Sequence, residues 1–388
     1  MRSPTSWQRS IPAAPSSVLH VSAPRPRSNF GDEDVDRLIS QLLLSVGEES
    51  NDDLVRKLIV TALDMDEDNV DRLELKIASQ SLVEMLNAWR VFSPYSQRAK
   101  VTIFGSARTD PSAPNYAIAR DFSSLLANRG WMAISGAGPG IMTAAIEGAG
   151  VENSFGVNIV LPFEQMAADI IEGNEKLATF RYFFTRKLFF MKESDAFAVL
   201  PGGFGTLDET FELLTLIQTG KSYPVPIVLL DHPGSTYWHS LRRFIDSELL
   251  DNGMIRSEDT SLFLHTHDPA EAAEYVCSFY ACFHSMRYVG RRLVLRLNHE
   301  ISDETVAVLN TEFADIVSKD SIERTETTES ELRDNDHPLL PRLIFSFDNR
   351  SFARLTMLIR RINDLSGDRN VAATEGLVHD LEPEPDDF

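Results

Sequence analysis

The sequence predicts an α/β protein: a doubly wound, Rossmann-like parallel sheet, preceded by a helical segment and followed by a small α+β domain. Three observations carry this expectation. From residue 98 to residue 284, apolar runs of strand length alternate with segments of helical period, which implies parallel strands joined by right-handed crossovers. Gly105, Gly136 and Gly202 each follow such a run, so glycine turns fall on the carboxyl edge of the sheet, where open α/β sheets bind ligands. The 388 residues, 43% apolar and 24% charged, suit a globular protein of two or three domains with ample core.

Composition narrows the partners. A formal net charge of -21 argues against nucleic-acid backbone and against an anionic membrane surface. An acidic protein that holds phosphate therefore needs a local basic cluster. No apolar run approaches the length of a membrane span. Cys277 and Cys282 fall near one expected helix, at a spacing that suits neither a zinc site nor a disulfide framework, and a reducing cytoplasm is the expected location.

In chain order, residues 1–30 hold five Pro, seven Ser and four Arg with no acid. A disordered tail is expected there, although an organelle transit peptide has a similar composition. Residues 31–97 read as helical. Val35, Leu38, Ile39, Leu42 and Leu43 form one stripe, Leu54, Val55, Leu58, Ile59 and Ala62 a second, and Ala78, Leu82, Met85, Leu86 and Trp89 a third, each suited to packing on another domain or a partner subunit. The main domain is expected over 98–287. It opens with strand Lys100–Phe104 and the turn Gly105-Ser106, and Pro114 starts a helix. Strand Trp131–Ile134 follows, closed by Gly136-Ala137-Gly138-Pro139-Gly140. That turn is not GxGxxG and lacks the acid expected about twenty residues on, so it is no dinucleotide fingerprint. A helix from about Thr179 to Glu193 carries Arg181, Arg186, Lys187 and Lys192 among five phenylalanines and a tyrosine. It supplies the basic cluster that phosphate requires.

The stretch around which the domain is organised is Pro201-Gly202-Gly203-Phe204-Gly205-Thr206-Leu207-Asp208-Glu209. It joins the apolar run Ala196–Leu200 to a helix with Leu207, Phe211, Leu214 and Ile217 at helical spacing. Glycines let a ligand approach the main chain, and a helix N-terminus presents unpaired N–H groups and a positive dipole end to a phosphate. A plainer reading stands beside this one: Thr206-x-x-Glu209 is also a capping box. Capping alone needs none of the glycines, which favours a ligand.

Strands Pro226–Leu230 and Ser261–Leu264 and a helix from Pro269 to about His284 complete the domain. His232, His239, His265 and His267 follow later strands or sit on helices; with no HExxH-like spacing, no metal site is expected. Over 288–365 strand and helix patterns suggest the small α+β domain, with the seven acids of Asp320–Asp336 read as a solvated loop. Residues 366–388 read as a loose acidic tail.

The central domain, roughly 98–284, resembles the LOG (Lonely Guy) family. The shared PGGxGTxxE motif is matched by Pro201–Glu209, and the Arg-Lys pair on the preceding helix by Arg186-Lys187. The family's Arg-Lys motif begins with Met, and Phe183 stands at that place. The resemblance implies a phosphoribohydrolase that cleaves a nucleoside 5′-monophosphate, such as AMP or a cytokinin nucleotide, to free base and ribose 5-phosphate. It implies Glu209 as catalytic carboxylate with Arg186 as its partner, and Gly202, Gly203, Gly205 and Thr206 around the 5′-phosphate. Gly105, Ser106, Arg108, Gly136, Gly138, Gly140 and Lys187 would complete the nucleotide pocket. No cofactor or metal is implied, and a homodimer or higher homo-oligomer is. Family members were long labelled lysine decarboxylases, but nothing in the sequence marks a lysine for pyridoxal phosphate. The competing expectation is a nucleotide-binding regulatory protein without turnover. Retention of both Arg186 and Glu209 favours the enzyme.

Overall fold

The computed structural model describes residues 27–47, 51–160 and 168–367; the tails expected before residue 27 and beyond residue 367 lie outside the described residues. By its own contacts the chain divides into two units, Met1–Gln80 and Ser81–Phe388.

The first unit holds α1 (Glu33–Val46), α2 (Asp52–Glu67) and the start of α3 (Arg72–Phe92). Asp32 caps α1 by accepting from the N–H groups of Asp34 and Val35, and Glu33, Asp34 and Asp36 occupy the first turn, where the dipole favours negative charge. Arg56 pairs with Asp36 at 3.1 Å. Ile39 and Val60 are buried, whereas Leu38, Leu42, Leu54 and Leu58 are exposed. Much of the two apolar stripes is thus uncovered.

The second unit is built on a parallel sheet. In chain order it runs β1 (Lys100–Phe104), α4 (Pro114–Ala127), β2 (Met132–Ser135), α5 (Ile141–Ala149), β3 (Ser154–Ile159), β4 (Leu177–Phe180), α6 (Phe183–Lys192), β5 (Ala196–Val199), α7 (Phe204–Gln218), β6 (Ile227–Leu230), α8 (Tyr237–Phe244), β7 (Phe263–Thr266) and α9 (Pro269–Ser278). The seven strands lie in the order β4-β3-β2-β1-β5-β6-β7, paired parallel throughout. Every residue of β1, β2 and β5 is buried, as a sheet covered on both faces requires. Helices α4, α5 and α9 cover one face, and α6, α7, α8 and the end of α3 cover the other. The doubly wound expectation is met.

Strand order reverses between β1 and β5. The loops leaving these two neighbours run to opposite sides of the sheet and open a crevice at its carboxyl edge. The turns beginning at Gly105 and Gly202 flank that crevice.

Four readings of the sequence are corrected. Residues 177–180 are a strand, so the aromatic-basic helix begins at Phe183, not Thr179; a four-residue edge strand is too short to show a period. The buried face of α3 carries Ser81, Glu84, Ala88 and Phe92, while Leu82, Leu86 and Trp89 of the expected stripe are exposed. Glu84 is buried because its carboxylate accepts from the Arg181 and Tyr182 N–H groups and from the Thr185 hydroxyl. A distant residue thereby caps α6, whose own N-cap side chain makes no such bond.

Third, α9 ends at Ser278, and β8 (Phe283–Val289) begins a second sheet. Cys277 is therefore helical and Cys282 is not. The sheet continues with β9 (Arg292–Leu297), α10 (Asp303–Glu312), β10 (Val317–Thr325), α11 (Glu329–Asp334), β11 (Arg342–Phe347) and α12 (Phe352–Ser366). Its antiparallel order is β10-β11-β9-β8. Phe283, Leu295, Phe345 and Ile359 from this part share one continuous apolar core with Val101, Phe122 and Val276 of the first sheet.

Fourth, the acidic stretch Asp320–Asp336 is not a solvated loop. It contains most of β10 and all of α11. Glu331 is fully buried between Arg296, at 2.9 Å, and Arg342, at 3.0 Å, and it also accepts from Thr328. Burial pushes its carboxyl upward, but the Thr328, Arg296 and Arg342 contacts outweigh this and hold it below the usual glutamate range. Removing one member of a buried ion cluster strands the others. Glu331→Gln is expected to lower stability by about 3–5 kcal/mol, read from the urea midpoint; a loss near that of a surface pair, under about 1 kcal/mol, would show that the cluster is not needed for folding.

Candidate functional site

The crevice between the β1 and β5 loops is the mouth of a cleft of about 810 Å³. Gly105, Ser106 and Arg108 from the β1 loop line it, with Gly136 and Gly138 from the β2 loop. Gly202, Gly203, Gly205, Thr206 and Glu209 from the β5 turn and α7 face them, and Arg186 reaches in from α6. Two expected members are elsewhere. Gly140 does not line the cleft. Its φ of +67° and the close approach of the Ser106 and Ala107 backbone make glycine necessary there, and the adjacent Ile141 N–H donates to the Ser106 carbonyl at 3.1 Å. Gly140 therefore locks the β1 and β2 loops together.

Lys187 is the second. Its ammonium is held by Asp208 at 2.9 Å, by Glu209 at 3.0 Å and by Glu212. Burial disfavours its charge, yet the Glu212, Asp208 and Glu209 contacts together raise it well above an ordinary lysine. It is an anchor for three carboxylates.

The β5 turn is held from two sides. The Ser106 N–H donates to the Pro201 carbonyl at 3.2 Å, and the Tyr237 hydroxyl donates to the Gly202 carbonyl at 2.7 Å. Helix α7 then starts at Phe204 with Gly203 as N-cap. Its first intrahelical bond runs from the Leu207 N–H to the Gly203 carbonyl, so the preceding N–H groups of Phe204, Gly205 and Thr206 have no intrahelical partner. The capping-box reading is corrected here: Thr206 already lies within the first turn, Gly203 occupies the N-cap, and no side chain caps it. Glu209 faces Lys187 instead.

The glycines of this turn serve different ends. A Cβ on Gly202 would run into the Thr206 side chain, whereas one on Gly203 or Gly205 would meet no protein atom within 4 Å. Gly202 is needed by the fold, while Gly203 and Gly205 leave room that the protein itself does not fill.

Two charged groups define the electrostatics. Glu209 is buried, only 6% exposed. Burial raises its carboxyl above the ordinary value of 4.5 against the pull of Lys187. Arg186 donates through Nε to the Val157 carbonyl at 2.9 Å, and its guanidinium lies 5.0 Å from the Phe190 ring centroid. Burial lowers it to about 10, with the Glu209 charge opposing, so it remains a cation at neutral pH. A Cβ on Gly136 would come within 2.7 Å of the Arg186 Nη2 atom, which explains glycine beside the guanidinium.

The sequence reading missed Met142, Asn158, Ile159, Phe190 and Tyr237, which also line the cleft. Asn158, a polar residue inside an apolar strand, was the one available signal. The basic helix residue Arg181 does not line it; its N–H serves Glu84. Elsewhere on the same edge three histidines that share no sequence spacing meet. One ring nitrogen each from His239, His265 and His267 comes within 4.8 Å of the others. Residues far apart in sequence meet because α8 and the end of β7 share that edge.

Residues 137–276 match a family model described as "Possible lysine decarboxylase". The cytokinin riboside 5′-monophosphate phosphoribohydrolase LOG4 of Arabidopsis thaliana is 33% identical over 101 residues, which are 26% of this chain and 45% of that protein. LOG1 of the same plant, which carries the same description, is 48% identical over 61 residues, 16% of this chain and 27% of that protein. The chain thus spans less than half the length of these relatives. Among solved structures, a molybdenum cofactor binding protein from Rippkaea orientalis aligns with 17% identity and a TM-score of 0.35, over 47% of this chain and 97% of that one. The resemblance of the central domain to the LOG family, read from Pro201–Glu209 and Arg186-Lys187, is borne out by the family-model and sequence matches. Among the described residues, no helix is long and apolar enough to cross a membrane.

The unequal roles of the two glycines are testable. Gly203→Ala should change stability by no more than about 0.5 kcal/mol, whereas Gly202→Ala should cost about 1–3 kcal/mol through overpacking against Thr206. Equal losses in chemical denaturation would contradict the distinction.

Proposed function

We propose that the protein hydrolyses the N-glycosidic bond of a nucleoside 5′-monophosphate, releasing the free base and ribose 5-phosphate. The observation that carries this reading is the placement of a buried carboxylate, Glu209, one and a half turns into a helix whose first N–H groups lack intrahelical partners and whose Gly203 and Gly205 line the cleft beside space the protein does not fill. The phosphate binds the N–H groups of residues 203–206 at the positive end of α7. The ribose then lies along the helix toward Glu209, and the base reaches the apolar wall of Met142, Ile159, Phe183 and Phe190.

As the bond from C1′ to the base nitrogen breaks, its electron pair leaves with the base and the sugar gains oxocarbenium character. The Glu209 carboxylate stabilises that cation and orients a water toward C1′, taking its proton as the new C–O bond forms and passing it on, through solvent, to the departing base, which ends neutral. Arg186 offsets the charge that develops on the departing base without giving up its own proton. Lys187 keeps Glu209 in place through its 3.0 Å contact. AMP and cytokinin nucleotides both fit this chemistry, and the relatives' cytokinin activity makes the latter a natural second substrate to try. The resemblance also implies a homo-oligomer, and the spacing of the two cysteines suits a reducing cytoplasm.

Incubation with AMP should release adenine, detected by chromatography, and Glu209→Ala should lower the rate by at least about 100-fold, the scale of a lost general acid–base group, in a protein that remains folded by circular dichroism. Equal release by both proteins would remove Glu209 from the chemistry. AMP binding without release by the wild type would instead support a regulatory nucleotide-binding protein. The pH profile gives a second reading. The working form is the carboxylate, and burial raises the pKa of its acid form above 4.5. Activity should therefore decline as pH falls, with a midpoint above 4.5; a midpoint below it would contradict a buried Glu209 as the acting group.

A further inference from the structure

Beside the nucleotide cleft, the same sheet edge carries a second cluster of chemically competent side chains. Asp231 directly follows β6 and is fully buried. Its Oδ1 atom stands 3.1 Å from His265 Nε2 and 2.7 Å from His267 Nδ1. Its Oδ2 atom is buried without a hydrogen-bond partner among the described residues. His239, in the first turn of α8, packs its ring 4.9 Å from that of His265 and 6.0 Å from that of His267. Asp231 thus offers an oxygen to one ring nitrogen of each imidazole, its carboxylate to His265 Nε2 and its main-chain carbonyl to His267 Nδ1 at 3.2 Å with the carboxylate close by; oxygen acceptors there fix both tautomers and leave the opposite ring nitrogens with free lone pairs. It also leaves a negative charge in a buried place with only imidazole partners, an arrangement that a cation would stabilise.

We propose that His239, His265 and His267 form a zinc site, with Asp231 as the carboxylate that orients the latter two. Three imidazoles backed by a carboxylate suit a borderline divalent metal. One ring nitrogen of each histidine already lies within 4.8 Å of the others. In a tetrahedral site with Zn–N bonds of about 2.0–2.1 Å, neighbouring nitrogens stand about 3.4 Å apart, so binding draws the rings together by side-chain rotation. His239 is exposed and takes most of that movement. The site leaves the fourth position of the metal to water. It ties the start of α8 to β7, and α8 carries Tyr237, whose hydroxyl holds the Gly202 carbonyl at 2.7 Å. It is independent of the nucleotide chemistry, since none of its histidines lines the cleft.

The test uses the full chain without a polyhistidine tag, stripped with a chelator and titrated with Zn²⁺ against a chromophoric competitor. One Zn²⁺ per chain is expected, with a rise in the thermal midpoint. His239→Ala, a surface change that leaves the core intact, should weaken binding at least tenfold and remove the thermal gain, and Asp231→Asn should weaken it roughly 10–100-fold. No zinc retained by the wild type in competition would overturn the proposal. So would zinc held equally by the wild type and His239→Ala, which would place the metal on surface carboxylates instead.

Discussion

The reversal of strand order between β1 and β5 is the constraint on which the rest of the molecule depends. Adjacent parallel strands whose connections run to the same side have their loops packed over the sheet edge. Where the connections diverge, nothing covers the edge, and the backbone at the strand ends is left facing a crevice. Here the β1 and β5 loops supply glycines at that point, and α7 directs its N-terminus toward it. The cleft, the free amides and the carboxylate are therefore consequences of one topological fact.

Charge is arranged around this opening with some economy. An acidic chain of net charge -21 repels a phosphate unless local positive potential offsets the whole. Lys187 does not provide it, because three carboxylates neutralise it. The helix N-terminus and Arg186 remain. Arg186 in turn depends on α6 being held in place, and α6 is capped by Glu84 from the distant α3. Fully buried Phe180, Phe189 and Phe190 add about 1.5–3 kcal/mol each to seating that segment. The aromatics of the basic helix are thus its foundation, and the cation is what they position.

Most of the fold was legible because a parallel sheet buried on both faces writes itself as apolar runs, and its turns as glycines. The motif Pro201–Glu209 located the cleft for the same reason: a tight turn between a buried strand and a helix, open on one side, leaves a mark in glycine. Features made only by tertiary contact left none. Lys187 read as a phosphate ligand because its sequence neighbours are aromatic, while its partners Asp208, Glu209 and Glu212 lie on another helix. Gly140 read as a pocket residue, although its conformation serves loop packing. Glu331 read as solvated because it stands in an acidic run, yet Arg296 and Arg342 come to it from β9 and β11. The histidines read as incidental because residues 239, 265 and 267 share no local spacing; only the parallel pairing of β6 with β7 brings their neighbourhood together.

In the proposed reaction, one α-helix N-terminus holds the phosphate while Glu209 on the same helix faces the sugar. A crystal structure of the Glu209→Gln protein with intact AMP tests it most directly. Phosphate oxygens are expected within hydrogen-bond distance of the main-chain N–H groups of residues 203–206, with C1′ of the ribose turned toward residue 209. A nucleotide bound with its phosphate away from that turn, or with its ribose on the far side of the cleft from residue 209, would contradict it.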